Sequence, residues 1–276
     1  KGDGANRDPC LRGDVADGTV NMGSLSILAE SHGNAFYVYD KLANDAYDFL
    51  SNVGWTNNTN LQVHWSNSSF DGTHYHPGGN IDLVAGDGWD EDVFYHEYGH
   101  FVMYKTYGTY PNTVNCGADH GWTRHSSTGC AMSEGWATFF QAALQNSSAY
   151  IDTDDRTISY SLEQPSPWSD HAEDEGAVGA ILWDVFDGSN ENHDGISAGF
   201  NGPSYNGIWN IFYNYDPKTI QEFWNGWGSA VNSYCPQVWR VMKHVAVNYN
   251  SSAPGAPGSL TSGSHSPYSW SGDRTV

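Results

Sequence analysis

Residues 90–107 read DEDVFYHEYGHFVMYKTY and are predicted to form one helix. Its first turn holds Asp90, Glu91 and Asp92, where the helix dipole stabilises negative charge, and Gly108 follows its last residue as a C-terminal stop signal. This helix decides the fold, because it carries the most informative motif of the chain.

Within the helix, His96, Glu97 and His100 form an H-E-x-x-H motif. Residues four apart share one helix face, so both imidazoles can bind the same metal ion. Glu97 would face the open coordination position and take a proton from bound water. The motif predicts one catalytic Zn²⁺ ion, and an incidental pair of surface histidines is the alternative.

A catalytic zinc needs a third protein ligand, for which Glu134 is the candidate. It lies in the stretch SEGWATFF, residues 133–140, in an otherwise apolar helix predicted over 132–145. A carboxylate there is costly unless it binds a cation. The alternative is an exposed acid in the first helical turn.

HEYGH at 96–100 followed by SEGWA at 133–137 resembles the gluzincin branch of zinc metallopeptidases, and is broadly similar to thermolysin-type enzymes. VAGDG at 84–88 and the helix predicted over 33–50 extend this similarity upstream. The resemblance implies an α+β zincin fold, in which a small N-terminal sheet and the active-site helix precede a mainly helical C-terminal subdomain.

The resemblance also implies roles for individual residues. Zinc would be bound by His96, His100 and Glu134, with Glu97 as general base and proton shuttle. An edge strand around residues 74–76 would hold a peptide or protein substrate by strand addition. Tyr75 and His76 are therefore candidate substrate-binding residues.

The sequence departs from the family pattern at Thr138, where thermolysin-type enzymes have an Asp that orients a zinc histidine. Another carboxylate is then expected behind the ligands. Glu175, at the start of a helix predicted over 174–187, is the candidate. A solvated acid at a helix start is the alternative.

A second departure concerns the residue that hydrogen-bonds the developing oxyanion. Pro203 occupies the position of the family's histidine, so Tyr205 or His193 is expected to supply the catalytic donor. Surface or structural roles are the alternative for both. Further candidates are His120, His125 and His171.

Composition sets the broad class. The 276 residues carry Lys+Arg 11 against Asp+Glu 32, which gives a formal net charge of -21. This charge excludes nonspecific binding to nucleic acid, and no run approaches the ~18 apolar residues of a membrane-spanning helix. The chain begins at Lys1 without an apolar leader, as in mature secreted proteins. We expect an extracellular monomer that does not insert into membranes.

The four cysteines lack the spacings of zinc ribbons, and their even number allows full pairing. We expect a local disulfide between Cys116 and Cys130 and a long-range one between Cys10 and Cys235, with the other two connectivities open. Disulfides indicate an oxidising compartment. Four glycosylation sequons agree with secretion, at Asn57, Asn67, Asn146 and Asn250.

Residues 1–250 are predicted to form the catalytic domain, with subdomains of about 1–108 and 109–250 and a cleft between them. Short strands are predicted at 61–65 and 81–85. A Ser/Gly/Pro-rich tail or linker follows at 251–276. Further helices are predicted at 205–215, 218–233 and 236–247.

Calcium is a second candidate ion, at an acidic loop containing Asp152, Asp154 and Asp155, with a solvated loop as the alternative.

These features predict a secreted zinc endopeptidase. One alternative is a zinc peptidase restricted to glycoproteins or to one partner, because Thr138 and Pro203 imply a remodelled pocket. Another is a noncatalytic secreted binding module with a structural zinc. The number of protein ligands distinguishes this binding module from a peptidase, since a structural zinc needs four protein ligands and no base.

Overall fold

The computed structural model describes residues 33–55, 61–67, 72–77, 79–109, 116, 120–153, 158–163, 172–188, 203–231, 234–245 and 247. Helices predominate over strands in this part of the chain, which agrees with the α+β class. The predicted tail at 251–276 lies outside the described residues. Among the described helices, none is both long and apolar enough to cross a membrane.

A helical segment begins the described chain. It comprises α1 (Asn34–Asp40), a π-helical stretch (Lys41–Ala46) and α2 (Tyr47–Ser51). The sequence predicts this segment as one helix over 33–50, and the structure differs only by the π-helical stretch in its middle.

A three-stranded sheet follows, with the order β1-β3-β2. Its strands are β1 (Gln62–Asn67), β2 (His74–His76) and β3 (Asn80–Val84). β3 pairs in parallel with β1 and antiparallel with β2, so β2 is an edge strand of the described sheet. Ile81 and Leu83 face the core, whereas Asp82 faces outward.

Two long helices occupy the centre of the molecule. A 3-10 turn (Gly86–Trp89) leads into α3 (Glu91–Tyr107), which ends at Gly108 with φ 70°, as the sequence predicts. α4 (Thr128–Gln145) begins four residues before its predicted start. The reason is a cap, because Oγ of Ser127 accepts the N–H of Cys130 at 3.0 Å.

The chain after α4 forms a hairpin and then helices. The hairpin pairs β4 (Ala149–Asp152) with β5 (Ile158–Ser161) and is not predicted from the sequence. The helices are α5 (Glu175–Phe186), α6 (Pro203–Tyr215), α7 (Ile220–Gly226) with a π-helical continuation (Trp227–Val231), and α8 (Cys235–His244). The second half is thus mainly helical, as predicted.

Aromatic packing joins the helices around α4. The ring of Trp136 stacks on Phe212 of α6 with centroids 3.5 Å apart, and its Nε1 donates to the carbonyl of Gly99 on α3 at 3.2 Å. One core cluster contains residues from both sides of residue 108, for example Ile81 and Val238. The division into two subdomains with a cleft between them stays a prediction.

Candidate metal centre

Three potential ligand atoms converge between α3 and α4. Nε2 of His100 lies 3.0 Å from Oε2 of Glu134 and 3.2 Å from Nε2 of His96, and the His96 to Glu134 distance is 3.3 Å. Donor atoms about 2.0–2.1 Å from a tetrahedral zinc lie roughly 3.3 Å from one another. Two imidazole nitrogens and one carboxylate oxygen therefore match zinc in chemistry and in spacing.

The two helices bring these side chains together through a close contact. A Cβ built on Gly99 would lie 3.0 Å from Cα of Ala137, so the absent side chain lets α3 approach α4. His96 and His100 stand one turn apart on α3, and Glu134 comes from the facing side of α4. All three side chains are at most 14% exposed. The histidines hold the pKa of the Glu134 carboxyl well below its ordinary value, although burial acts to raise it.

The outer nitrogens of the histidines contact hydroxyl groups of α4. Oγ1 of Thr138 lies 3.2 Å from Nδ1 of His96, and Oγ of Ser133 lies 3.4 Å from Nδ1 of His100. The sequence predicts a carboxylate, Glu175, in this role, whereas the structure places these two hydroxyls there. The contact of Thr138 could be predicted from the helical spacing, since Thr138 lies one turn beyond Glu134 on the same helix face.

Glu97 is buried beside the three ligand residues. Its Oε2 accepts the backbone N–H of Tyr75 at 2.7 Å. Burial raises the pKa of Glu97 to about 7, although His96 acts to lower it. The hydrogen bond ties the general-base candidate to edge strand β2.

The two predicted substrate-binding side chains point to opposite faces of the sheet. The ring of Tyr75 is 7% exposed and packs edge-on against Phe101 at a centroid distance of 6.0 Å. His76 is on the outer face, with Nε2 at 2.8 Å from Asp82. Of these two residues, Tyr75 therefore contacts the candidate metal centre, and it does so through its backbone N–H and not through its side chain.

Glu175 contacts a different histidine from the two on α3. Its Oε2 lies 3.0 Å from Nδ1 of His120, and polar atoms of His120, Glu175 and Glu134 all lie within 4.8 Å of one another. The hydrogen bond to Glu175 raises the pKa of His120 to about 9, against the effect of burial. His120 thus lies at the site although its partner Glu175 is 55 residues away in sequence.

Tyr150 of β4 also lies at the centre, with its ring centroid 6.0 Å from that of His96. Burial, reinforced by the Glu97 carboxylate, raises the pKa of its hydroxyl well above the ordinary value. Tyr150 is not predicted as a site residue from the sequence, because the β4–β5 hairpin that carries it is not predicted either.

Most of the other oxyanion candidates lie outside the described part of the structure. Tyr205 lies in the first turn of α6, and its side chain is outside the described part of the structure. His193 and His171 also lie outside the described residues. His125 pairs with Asp174, Nδ1 to Oδ1 at 3.3 Å.

The predicted local disulfide between Cys116 and Cys130 is present. Sγ of Cys116 lies 3.5 Å from Oε1 of Glu134, so the disulfide anchors the preceding loop beside the third ligand. Cys235 is buried and has no disulfide partner among the described residues, and Cys10 lies outside them. The long-range pairing stays a prediction.

The acidic loop predicted at residues 152–155 begins within a strand. Asp152 is the last residue of β4, and its carboxylate lies near those of Asp87 and Asp90. Asp90 also accepts the backbone N–H of Thr153 at 2.9 Å. Asp154 and Asp155 lie outside the described residues, and calcium binding stays a prediction.

The site thus combines two histidines one helical turn apart, a glutamate from the facing helix and a buried glutamate beside them, and this group could hold a metal ion. The family model described as the mycolysin C-terminal domain matches residues 49–242. The chain belongs to this family, a domain of peptidases related to thermolysin. No curated protein and no solved structure matches the chain.

Proposed function

We propose that the protein is a secreted zinc-dependent endopeptidase. The observation that carries this proposal is the convergence of His96, His100 and Glu134 at zinc-ligand spacing, with Glu97 buried beside them. Family membership supports the same chemistry, and the Cys116–Cys130 disulfide is consistent with an extracellular protein.

The ion supplies one part of the chemistry: bound zinc would polarise the scissile carbonyl and acidify an attacking water. Glu97 would accept the proton of that water and then donate it to the leaving amine. Its Oε2 is held by Tyr75, which leaves Oε1 for this proton transfer. A carboxyl whose pKa is raised towards neutrality suits both steps.

The substrate would add to the outer edge of β2, beside the Tyr75 N–H that Glu97 accepts. Tyr75 directs its N–H towards Glu97 and not towards β3, so this edge of the strand faces the candidate centre. An extended peptide pairing with β2 would lie across the three ligand residues. Main-chain hydrogen bonds of this kind are independent of side chains, which suits an endopeptidase.

We propose that His120 donates a hydrogen bond to the developing oxyanion, and Tyr205 and His193 stay predictions. Its Nδ1 hydrogen-bonds the carboxylate of Glu175, which leaves Nε2 to act on the substrate. The carboxylate also stabilises the imidazolium form, in which Nε2 carries a proton. Glu175 would thus be a positioning residue for His120 and not for a zinc ligand.

The ligand count favours the enzyme over the noncatalytic binding module. Within the described residues, no fourth His, Cys, Asp or Glu joins the group of His96, His100 and Glu134. Three protein ligands and an adjacent base are typical of catalytic zinc, whereas structural zinc takes four. A peptidase restricted to glycoproteins or to one partner keeps the same centre, and a comparison of glycosylated and bare substrates separates it from a general endopeptidase.

The decisive experiment compares the wild type with Glu97→Gln, both loaded with zinc, on an unfolded protein substrate. We expect kcat to fall by about 10²–10⁴-fold in Glu97→Gln while the zinc content stays at one ion at this centre. Glu222→Gln on α7 is the matched control, since it makes the same chemical change away from the centre. Mass spectrometry of the products locates the cleaved bonds. Equal cleavage by Glu97→Gln, or no cleavage by zinc-loaded wild type, would contradict the proposal.

A further inference from the structure

Three histidines and an aspartate lie together on the outer face of the three-stranded sheet. His64 of β1 and His74 of β2 both pair in register with Asp82 of β3. Because side chains alternate between the faces of a strand, all three lie on one face, and His76 follows two residues after His74 on the same face. The opposite face carries buried residues such as Ile81.

The aspartate is the centre of this cluster. Oδ2 of Asp82 lies 2.8 Å from Nε2 of His76, and Oδ1 lies 3.0 Å from Nδ1 of His64. Asn80 also donates its Nδ2 to Oδ1 at 3.2 Å. The side chain of Asp82 is only 14% exposed, so its carboxylate is held in place between the strands.

His74 has the tautomer that is typical of a metal ligand. Its Nδ1 lies 3.0 Å from the carbonyl of Gly72, which can only accept, so Nδ1 carries the proton. The lone pair is then on Nε2, which is the arrangement of most metal-binding histidines. The ring centroids of His74 and His76 are 4.2 Å apart, and ligand atoms of these two residues and Asp82 all lie within 4.8 Å of one another.

We propose that His74, His76 and Asp82 form a second metal site, separate from the centre on α3 and α4, that binds Zn²⁺. Two imidazoles and a carboxylate favour zinc and its neighbours in the first transition row over Ca²⁺ and Mg²⁺, which prefer oxygen ligands. His64 contacts the other carboxylate oxygen, Oδ1 of Asp82, and helps to hold the carboxylate in position. The site needs no residue of the candidate catalytic centre.

A metal ion here would cross-link β2 to β3. β2 has only three residues, and it is the strand whose backbone holds Glu97. The ion would therefore fix the edge strand through its outer face. Only this consequence for substrate binding rests on the proposed function, whereas metal binding itself does not.

The test counts zinc ions. Metal-free full-length protein is titrated with Zn²⁺ in competition with a chromophoric chelator. Elemental mass spectrometry then measures the bound zinc. We expect two equivalents for the wild type and one for the double variant His74→Gln/His76→Gln. His244→Gln on α8 is the matched control and should keep two. Equal zinc content in the wild type and the double variant would overturn the proposal. One equivalent in the wild type and none in the double variant would support this site and contradict the centre on α3 and α4.

A second measurement needs no variant. In protein with ¹⁵N-labelled histidine, Zn²⁺ beyond the first equivalent should shift the Nε2 resonances of His74 and His76. Unshifted resonances would overturn the site even if the double variant failed to fold. The variant His96→Gln/His100→Gln separates the two centres, because it should lose the catalytic site and keep the shift. Loss of peptidase activity in Glu97→Gln bears only on the proposed function.

Discussion

The hydroxyl oxygen of Thr138 lies 3.2 Å from Nδ1 of His96, one helical turn beyond Glu134 on the same helix. If Nε2 of His96 binds a metal ion, Nδ1 carries the proton and donates it to this hydroxyl. A neutral hydroxyl orients the ring without adding negative charge behind it. α4 therefore supplies one candidate ligand and the support of another.

We expect Thr138→Val to weaken zinc binding at this centre by about 10-fold or more, because it removes the acceptor for Nδ1 while keeping the shape of the side chain. Competition with a chromophoric chelator measures this affinity. Thr106→Val on α3 is the control, since Thr106 is a buried hydroxyl that contacts Val102 and Trp55 instead. Similar affinity in Thr138→Val and wild type would show that the hydroxyl does not support His96.

Removal of zinc should destabilise the protein. A ligand that binds only the folded state at 1,000 times its Kd contributes about 4 kcal/mol, and this contribution disappears with a chelator. The thermal unfolding midpoint should fall on chelation and recover with Zn²⁺ but not with Mg²⁺. An unchanged midpoint in the chelated protein would contradict metal binding to the folded state.

Some of this site could be predicted from the sequence because its signals are local. The acidic first turn and Gly108 define α3, and the four-residue spacing places His96 and His100 on one face. The start of α4 was harder to predict, because the cap at Ser127 lies in a stretch whose Ser, Thr and Gly residues are typical of a loop.

The contacts between distant segments could not be predicted in this way. His120 and Glu175 are 55 residues apart and meet only because α5 packs on α4. Tyr150 reaches His96 because it lies on the β4–β5 hairpin, and the acidic residues Asp152, Asp154 and Asp155 led to the prediction of a loop there instead. The cluster around Asp82 depends on the strand order, which periodicity does not specify.

Replacing His120 tests its assignment as oxyanion donor. His120→Gln should lower kcat by about 10²–10³-fold with a smaller change in KM, because the contact is made mainly in the transition state. Zinc content should be unchanged. His125→Gln is the matched control, since His125 also pairs with a carboxylate. An equal loss in both variants would indicate a structural effect.

The disulfide between Cys116 and Cys130 should stabilise the loop that carries His120. The double variant Cys116→Ser/Cys130→Ser is expected to lose about 3 kcal/mol of unfolding free energy, the typical value for a closed loop of this length. Denaturant unfolding of the chelated protein measures this loss. A reducing agent should destabilise the wild type and leave the double variant unchanged, and a reducing agent that affected both equally would argue against this account.

Two glycines on facing helices test how closely α4 must pack. A Cβ on Gly135 would lie 2.7 Å from the backbone oxygen of Glu175, which cannot move without shifting α5. A Cβ on Gly179 would lie 3.0 Å from Cδ2 of Leu162, the end of a flexible side chain, and 3.3 Å from the backbone oxygen of Gly135, which is a milder approach. Alanine gains about 1 kcal/mol over glycine within a helix, whereas overpacking costs about 1–3 kcal/mol or more.

We therefore expect Gly135→Ala to be clearly more destabilising than Gly179→Ala in denaturant unfolding of the chelated protein. Gly135 is adjacent to Glu134, so a shift of α4 should also displace this ligand and weaken zinc binding in Gly135→Ala alone. Equal stability and equal zinc affinity in the two variants would mean that α4 and α5 can separate without disturbing the centre. The close contact at Gly135 would then have no part in positioning Glu134.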